Sequence, residues 1–470
     1  MANALICSSM EDKKDYRNVE RRLPDFLSNE HHWPTLRVRC PIHGLIPFSK
    51  AEQTIIDHWT FQRLRRIKQL ALCYYVYPGA VHTRFEHSLG VMHFSTLAFD
   101  LLLSKYANLM EDAFKQVEEI GKNKTLAKAR QLVRLLGLTH DIGHTPFSHA
   151  GEILINGKHE NLSSIVVTQR DLLGDLLDDN FFKGASSLLG RILDKTKQTE
   201  LPPQIQIIQQ IFSGQLDFDR ADYLLRDAYH CGVDYGNFDH HQLIDCLALA
   251  LNPDTGEHEI GITDDGVYSF EALLLARLQM NLQVYGHKIR RIYDLYIQDY
   301  LKCWAKDKIK SPNDVLNWDD DLVLGQIYSD AKTCPQNNRN DLAKRIIERR
   351  HHREIFHSRS YIDPRQKQKV KSVCKELKKE FPAVDFICDV YDDWIHKLYV
   401  PGRMEQEKIE DFFVIEGHNN KSEQIGKVSK ILSTIPTKYR LARIFTSEID
   451  RNERDKLEKR AEDLYNNRRD

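Results

Sequence analysis

Long stretches of helical periodicity separated by short polar breaks dominate the chain. In TIIDHWTFQRLRRIKQLALC (54–73) apolar residues recur at Ile56, Trp59, Leu64, Ile67 and Leu70, which predicts a helix with one buried face. SLGVMHFSTLAFDLLLSKYA (88–107) and LAKARQLVRLLGL (126–138) have the same period. ALLLARLQMNLQVYGHKIRRIYDLYIQDYLKCWA (272–305) is long enough for one extended helix or a helix pair. Strand signals are sparse: EIGIT (259–263), between DTG and DDG turns, reads as one arm of a small β-hairpin. Beyond residue 331 the pattern shifts. TCPQNNRND (333–341) reads as a linker, and after a basic helix DFICDVY (385–391), DFFVI (411–415) and ARIFTS (442–447) read as strands between helices. The terminal RNERDKLEKRAEDLYNNRRD shows no apolar stripe wide enough for burial and predicts an exposed helix with a frayed tail. The expected division is a polar arm over 1–34, a mostly α-helical domain over 35–330 and a C-terminal α+β region over 331–470.

Composition narrows the class. The 470 residues are 41% hydrophobic and 29% charged, ordinary for a globular protein. Lys plus Arg number 67 against 68 Asp plus Glu, a net charge of −1, which argues against a coat for nucleic acid or anionic membrane. The nine cysteines are scattered without a C-x-x-C pair, so neither a disulfide framework nor a thiolate zinc site is expected, and reduced thiols in a cytoplasm are. The N-terminus lacks the pattern of a signal peptide, and no apolar run approaches the roughly 18 residues that span a bilayer.

Candidate chemistry concentrates in three segments. LTHDIGHTPFSHAGE (138–152) packs three histidines and two acids against the end of an apolar helix. Alone, the His140–Asp141 pair also reads as a helix-end cap. YPGAVHTRFEHSLG (77–90) adds Arg84 and His87, and LDFDRADYLLRDAYHCGVDYG (216–236) sets Asp219, Asp222, Tyr223 and Asp227 at helical spacing. Two histidines with two aspartates form a mixed nitrogen and oxygen set suited to Zn²⁺, Mn²⁺, Fe²⁺ or Co²⁺, with coordination positions left open for water and substrate.

Together, VYPGAVHTRFEHSLGV, LGLTHDIGHTPFSH and DFDRADYLLRD resemble the HD-domain superfamily of metal-dependent phosphohydrolases, and within it the deoxynucleoside triphosphate triphosphohydrolase branch. The resemblance runs from about Arg37 to Arg290. It implies an α-helical HD-domain fold with a regulatory or oligomerisation region after it. The implied activity is hydrolysis of a dNTP to deoxynucleoside and triphosphate by metal-activated water. One divalent ion (Mn, Fe, Zn, Co or Ni) would sit on His87, His140, Asp141 and Asp219, with Mg²⁺ bridging substrate phosphates. His144 and His159 would flank the scissile phosphate, His149 would protonate the departing 5′-oxygen, and Glu152, where the family has Asp, would orient an imidazole. Arg84 would fork onto the α-phosphate; a salt bridge to Glu86 or Asp141 is its structural alternative. Arg220 (Lys in the family), Tyr223 and Asp227 would contact phosphate, sugar and 3′-hydroxyl. Arg277 and Lys288 would touch the β- and γ-phosphates, with Tyr285 stacked under the deoxyribose.

The same resemblance implies a dimer or tetramer switched by a nucleotide effector at Asp57, Gln62 and Arg65, a regulatory protein partner, and a role in trimming dNTP pools or in antiviral defence. RVRCPIHG departs from the family's N-D-P-I-H-G at Arg39 and Cys40. The basic stretch RIIERRHHR (345–353) reads either as a polyphosphate or RNA grip or as a solvated helix face. Two other readings stay open: a different HD phosphoesterase acting on cyclic nucleotides or nucleic-acid ends, and an inactive nucleotide-binding or RNA-binding scaffold.

Overall fold

The computed structural model describes residues 36–155, 157–196, 201–333, 338–358, 364–401, 410–416, 421–447 and 450–467, so the arm expected over 1–34 lies outside the described residues. The first element is a hairpin of β1 (Leu36–Cys40) and β2 (Gly44–Phe48), closed at Gly44 with φ +73°. Sequence periodicity gave no sign of it, because five-residue arms of alternating exposure around a Pro-Ile-His turn are too short to register. Ser49 then caps the helix Lys50–Ile56, with Glu52 completing a capping box. The Glu52 carboxylate also receives the Arg134 guanidinium in a buried bidentate pair, Nε to Oε1 at 2.5 Å and Nη2 to Oε2 at 2.9 Å.

The helix expected over 54–73 is broken into Lys50–Ile56, Trp59–Gln62 and a tighter turn over Arg63–Arg66. Asp57 ends the first piece, His58 caps the second, and the Gln62 amide donates to the Ile56 carbonyl across the break. The apolar period is therefore discontinuous: Trp59 is 46% exposed while Leu64 and Ile67 are buried. The break turns Arg63 inward, where it supports the loop after His140.

The core is built on Arg84–Phe114, Thr125–Thr139 and Phe218–Cys231, helices that the periodicity located. A Cβ at Gly137 would lie 2.4 Å from Met92 Cα, so glycine there lets the first two helices approach closely enough to bring the ends bearing His87 and His140 together. The 272–305 stretch is a helix pair, Val267–Met280 and Lys288–Ala305, joined by a wide turn over Asn281–Tyr285.

EIGIT falls in β4 (His258–Thr263), which pairs antiparallel with β3 (Leu247–Leu251). The three strands expected after residue 331 form as β6 (Phe386–Trp394), β7 (Phe413–Ile415) and β9 (Lys438–Thr446), and two that the sequence did not signal join them, β5 (Arg353–His357) and β8 (Ser422–Gln424). β7 runs parallel to β4 in a sheet of order β3-β4-β7-β8, while β5-β9-β6 form a second sheet. The helices Pro364–Glu380 and Arg451–Asn466 pack on that second sheet. The terminal helix corrects the expectation of full exposure: Leu457 and Ala461 are buried against Val370 and Val373, because a stripe one residue wide suffices to cover a small sheet. The stretch read as a linker begins at the end of the helix Asp320–Thr333 and runs into the helix Asn338–Ile347.

Candidate metal centre

Three helices bring one ligand-type atom each of His87, His140 and Asp219 to within 4.8 Å of one another, and Asp141 stands beside the two imidazoles. His87 Nε2 lies 3.0 Å from Asp219 Oδ1, 3.4 Å from His140 Nε2 and 3.5 Å from Asp141 Oδ2. His140 Nε2 lies 3.5 Å from Asp141 Oδ2 and 3.6 Å from Asp219 Oδ1. Donors held about 2.1 Å from one ion sit roughly 3.0 to 3.4 Å apart, the edges of an octahedron or tetrahedron. The observed spacings fit that cage, and the donor set suits a divalent ion of intermediate hardness.

The buried surroundings favour positive charge. The Nδ1–H of His87 donates to Asp222 Oδ2 at 2.8 Å and that of His140 to the Gly137 carbonyl at 2.9 Å, so both Nε2 atoms face the cage. Burial alone would lower the pKa of His87, but hydrogen bonds to Asp219 and Asp222 push it up to about 10, and Asp141 raises that of His140. Asp141 is held well below the usual carboxylate range: against the cost of burial, the Arg84 guanidinium, 2.5 Å from Oδ2, keeps it ionised. At neutral pH the metal-free pocket therefore holds a proton that an incoming ion must displace. Because the folded-state pKa of His87 is raised, that competition strengthens as pH falls below about 10, and divalent-ion affinity should drop about tenfold per pH unit. Calorimetry in buffers of different ionisation enthalpy should report about one proton released per ion at pH 7.5; binding without proton release would contradict this.

A second group stands beside the cage. His144, His149, Glu152 and His159 bring one ligand-type atom each to within 4.8 Å of one another, and these four could also hold a cation. Glu152 Oε1 accepts from Nδ1 of His159 at 2.7 Å and of His149 at 3.1 Å, and the two imidazoles hold its pKa far down in spite of burial. His144 is fully buried, stacked on His159 at 3.6 Å between ring centroids, and kept neutral by burial and by Arg84.

The turn carrying this cluster is strained. Phe147 and Ser148 have φ of +60° and +54°, the left-handed region that side chains with a Cβ disfavour. Their surroundings hold them there. Asp320 accepts from the backbone N–H of Phe147 and of Lys68, and Ser148 Oγ donates to the Lys68 carbonyl. Buried Arg63 donates to the carbonyls of Ile142 and His144.

The cage floors a cavity of about 510 Å³, a size suited to a small-molecule ligand. Of the residues singled out in the sequence, Arg84, His140, Asp141, His144, His149, His159, Asp219, Tyr223, Asp227, Arg277 and Tyr285 line it. His87 and Glu152 stand directly behind the wall. Arg220 is turned towards Asp217 at 3.1 Å, and Lys288 lies outside, with its ammonium 3.5 Å from Glu354. The wide turn before Lys288 re-phases the helix and swings that side chain away from Tyr285. Both oxygens of Asp227 are engaged, by His82 Nε2 at 2.7 Å and by the Tyr285 hydroxyl at 2.7 Å. Arg84 bridges Asp141 and Ser148, the salt-bridge alternative read from the sequence. Asp57, Gln62 and Arg65 lie off the cavity: Arg65 bonds Gln62 and stacks on Phe85 at 3.5 Å. Lining residues that the sequence did not single out include Gln69, Arg290, Arg291, Asp294 and, from β6, Tyr391 to Asp393. The paired arginines after Tyr285 were the available signal for two of them; nothing in the local pattern around 391–393 gave any.

Comparison with known proteins agrees with this architecture. A family model described as the HD domain matches residues 84–225, and one described as the HD associated region matches 238–466. The chain thus carries an HD domain followed by an HD associated region. It is 27% identical over 507 residues to deoxynucleoside triphosphate triphosphohydrolase SAMHD1 of Homo sapiens, covering 94% of this chain and 75% of that protein. An uncharacterised protein of Methanocaldococcus jannaschii is 34% identical over 311 residues, 66% of this chain, and the match spans only 59% of that protein's length. The crystal structure of a hypothetical protein from Aquifex aeolicus superposes with a TM-score of 0.69 at 26% identity, over 90% of this chain and 99% of that one. Among the described residues no helix is long and apolar enough to cross a membrane.

Proposed function

We propose that the chain hydrolyses deoxynucleoside triphosphates to deoxynucleoside and triphosphate, the substrate class named for its human relative. The observation that carries this reading is the cluster of His87, His140 and Asp219, with Asp141 beside it, on the floor of a nucleotide-sized cavity that has three imidazoles on one side and tyrosines on the other. His87, His140, Asp141 and Asp219 would hold a divalent ion, which would supply Lewis acidity and ease the deprotonation of an attacking water. The remaining work falls to the chain's own groups. Arg84, fixed by Asp141 and Ser148, offsets charge beside the α-phosphate. Glu152 holds the Nδ1–H of His149 and His159, so each ring presents Nε2 outward. His149, the exposed member of the cluster, then donates its proton to the 5′-oxygen as the ester bond breaks. Arg277 binds the distal phosphates. Tyr223 and Tyr285, with ring centroids 6.2 Å apart, form a platform for the sugar, and Asp227 receives the 3′-hydroxyl by exchanging the Tyr285 hydroxyl for it.

His149→Ala should lower kcat by roughly 10²- to 10⁴-fold, the range for loss of a general acid, with the bound ion retained. A parallel loss of metal would instead make His149 a ligand. Regulation by nucleotides at Asp57, Gln62 and Arg65, assembly into dimers or tetramers, a regulatory protein partner, and service in dNTP depletion belong to the same reading. The test is to incubate the protein with each dNTP alone and in pairs, with Mn²⁺ or Mg²⁺, and separate products by reverse-phase chromatography. Deoxynucleoside is the expected product, with pairs exposing an activator; a monophosphate product would favour another phosphoesterase, and no turnover a binding scaffold.

A further inference from the structure

The Cys-Pro-Ile-His-Gly segment linking β1 to β2 is a motif of the sequence that the proposed reaction leaves without a role. In the fold it reaches the back of the metal centre. His43 Nε2 lies 2.6 Å from Asp222 Oδ1, and both side chains are buried, 4% and 0% exposed. The other oxygen of the same carboxylate accepts from His87 Nδ1 at 2.8 Å. Arg226 closes the arrangement by donating to both oxygens at 2.8 Å, and its terminal nitrogens lie 3.6 Å from Cys40 Sγ in the same turn. A Cβ at Gly90 would come within 2.1 Å of Asp222 Oδ1, so the helix bearing His87 is shaped to admit this carboxylate.

We infer that His43 is a positioning residue for the metal centre, acting through Asp222 to fix the ring of His87. This rests on the metal-centre reading but not on the identity of the substrate. A carboxylate holding one imidazole can still pivot about its own side-chain bonds, and a wandering Asp222 would let the His87 ring swing its Nε2 out of the cage. A second donor on the opposite oxygen removes that freedom, as does the fork of Arg226. Partners one layer behind metal ligands set ring orientation and ligand basicity, and their loss typically costs 10- to 100-fold in metal affinity. The hairpin thus ties residues 179 positions apart in sequence into one line, His43 to Asp222 to His87.

The test is a titration of chelator-stripped full-length protein with Mn²⁺, followed by electron paramagnetic resonance of the free ion. Wild type, His43→Ala and His43→Gln are compared, with the thermal unfolding of each metal-free protein recorded alongside. His43→Ala should raise the Mn²⁺ Kd about 10- to 100-fold. His43→Gln, whose amide can still donate to Asp222, should recover most of that loss even if its metal-free Tm matches that of His43→Ala. A mere hairpin anchor would instead move Tm and leave Kd alone, which would overturn the inference. Equal weakening in both variants would also overturn it, since donation to Asp222 would then be irrelevant. If wild type itself binds no ion, the metal-centre reading fails; if wild type and His43→Ala bind alike, only the role of His43 fails.

Discussion

Replacing His140 and Asp141 together with alanine is expected to abolish both ion binding and turnover. Two of the four proposed donors vanish, and the remaining His87 and Asp219, 3.0 Å apart, cannot enclose an ion by themselves. Metal content by mass spectrometry should fall from about one ion per chain to background, and dNTP hydrolysis by on the order of 10³-fold or more. The helical circular dichroism should persist, because both residues sit at the end of Thr125–Thr139 rather than in its apolar face. The same change leaves Arg84 without its carboxylate, so some loss of stability accompanies it. Retained activity in this variant would mean that the chemistry takes place elsewhere.

The largest effect on stability is expected at a distance from the cage. Glu52→Ala leaves the Arg134 guanidinium buried, with Thr96 Oγ1 and the Pro47 carbonyl as its remaining partners. Removing one member of a buried pair typically costs about 3–5 kcal/mol, because the other charge loses its compensation. The loss also opens the capping box at Ser49, adding to the destabilisation. Urea unfolding should show a fall in unfolding free energy of that size; a change below about 1 kcal/mol would show that the guanidinium finds other partners.

What could be read from the sequence followed from what each signal depends on. Helices such as Thr125–Thr139 declare themselves by local periodicity, and His140 and Asp141 stand out because polar donors ending an apolar run need a partner. The β1–β2 hairpin was invisible because its arms are short and its burial is set by contacts with distant helices. The 54–73 segment misled because its apolar residues keep helical spacing in the sequence although the chain breaks at Asp57 and His58, which turns Trp59 outward. Tyr391 to Asp393 reach the cavity through the pairing of β6 with β9, a tertiary fact that no local pattern encodes. Lys288 was assigned from the family resemblance alone, and its ammonium lies 3.5 Å from Glu354, away from the cavity lining. Asp222 was noticed only for its helical position; its place behind His87 follows from the crossing of two helices 135 residues apart.

The central claim is that this cage directs water onto the first phosphorus of a nucleotide. Hydrolysis of a dNTP in H₂¹⁸O, with mass analysis of both products, tests it most directly. The account predicts one ¹⁸O in the released triphosphate and none in the deoxynucleoside, because attack at the α-phosphorus expels the 5′-oxygen with the sugar. Label in the deoxynucleoside would place the attack on carbon, and monophosphate with pyrophosphate would make pyrophosphate, not the 5′-oxygen, the leaving group. Either result would contradict the account.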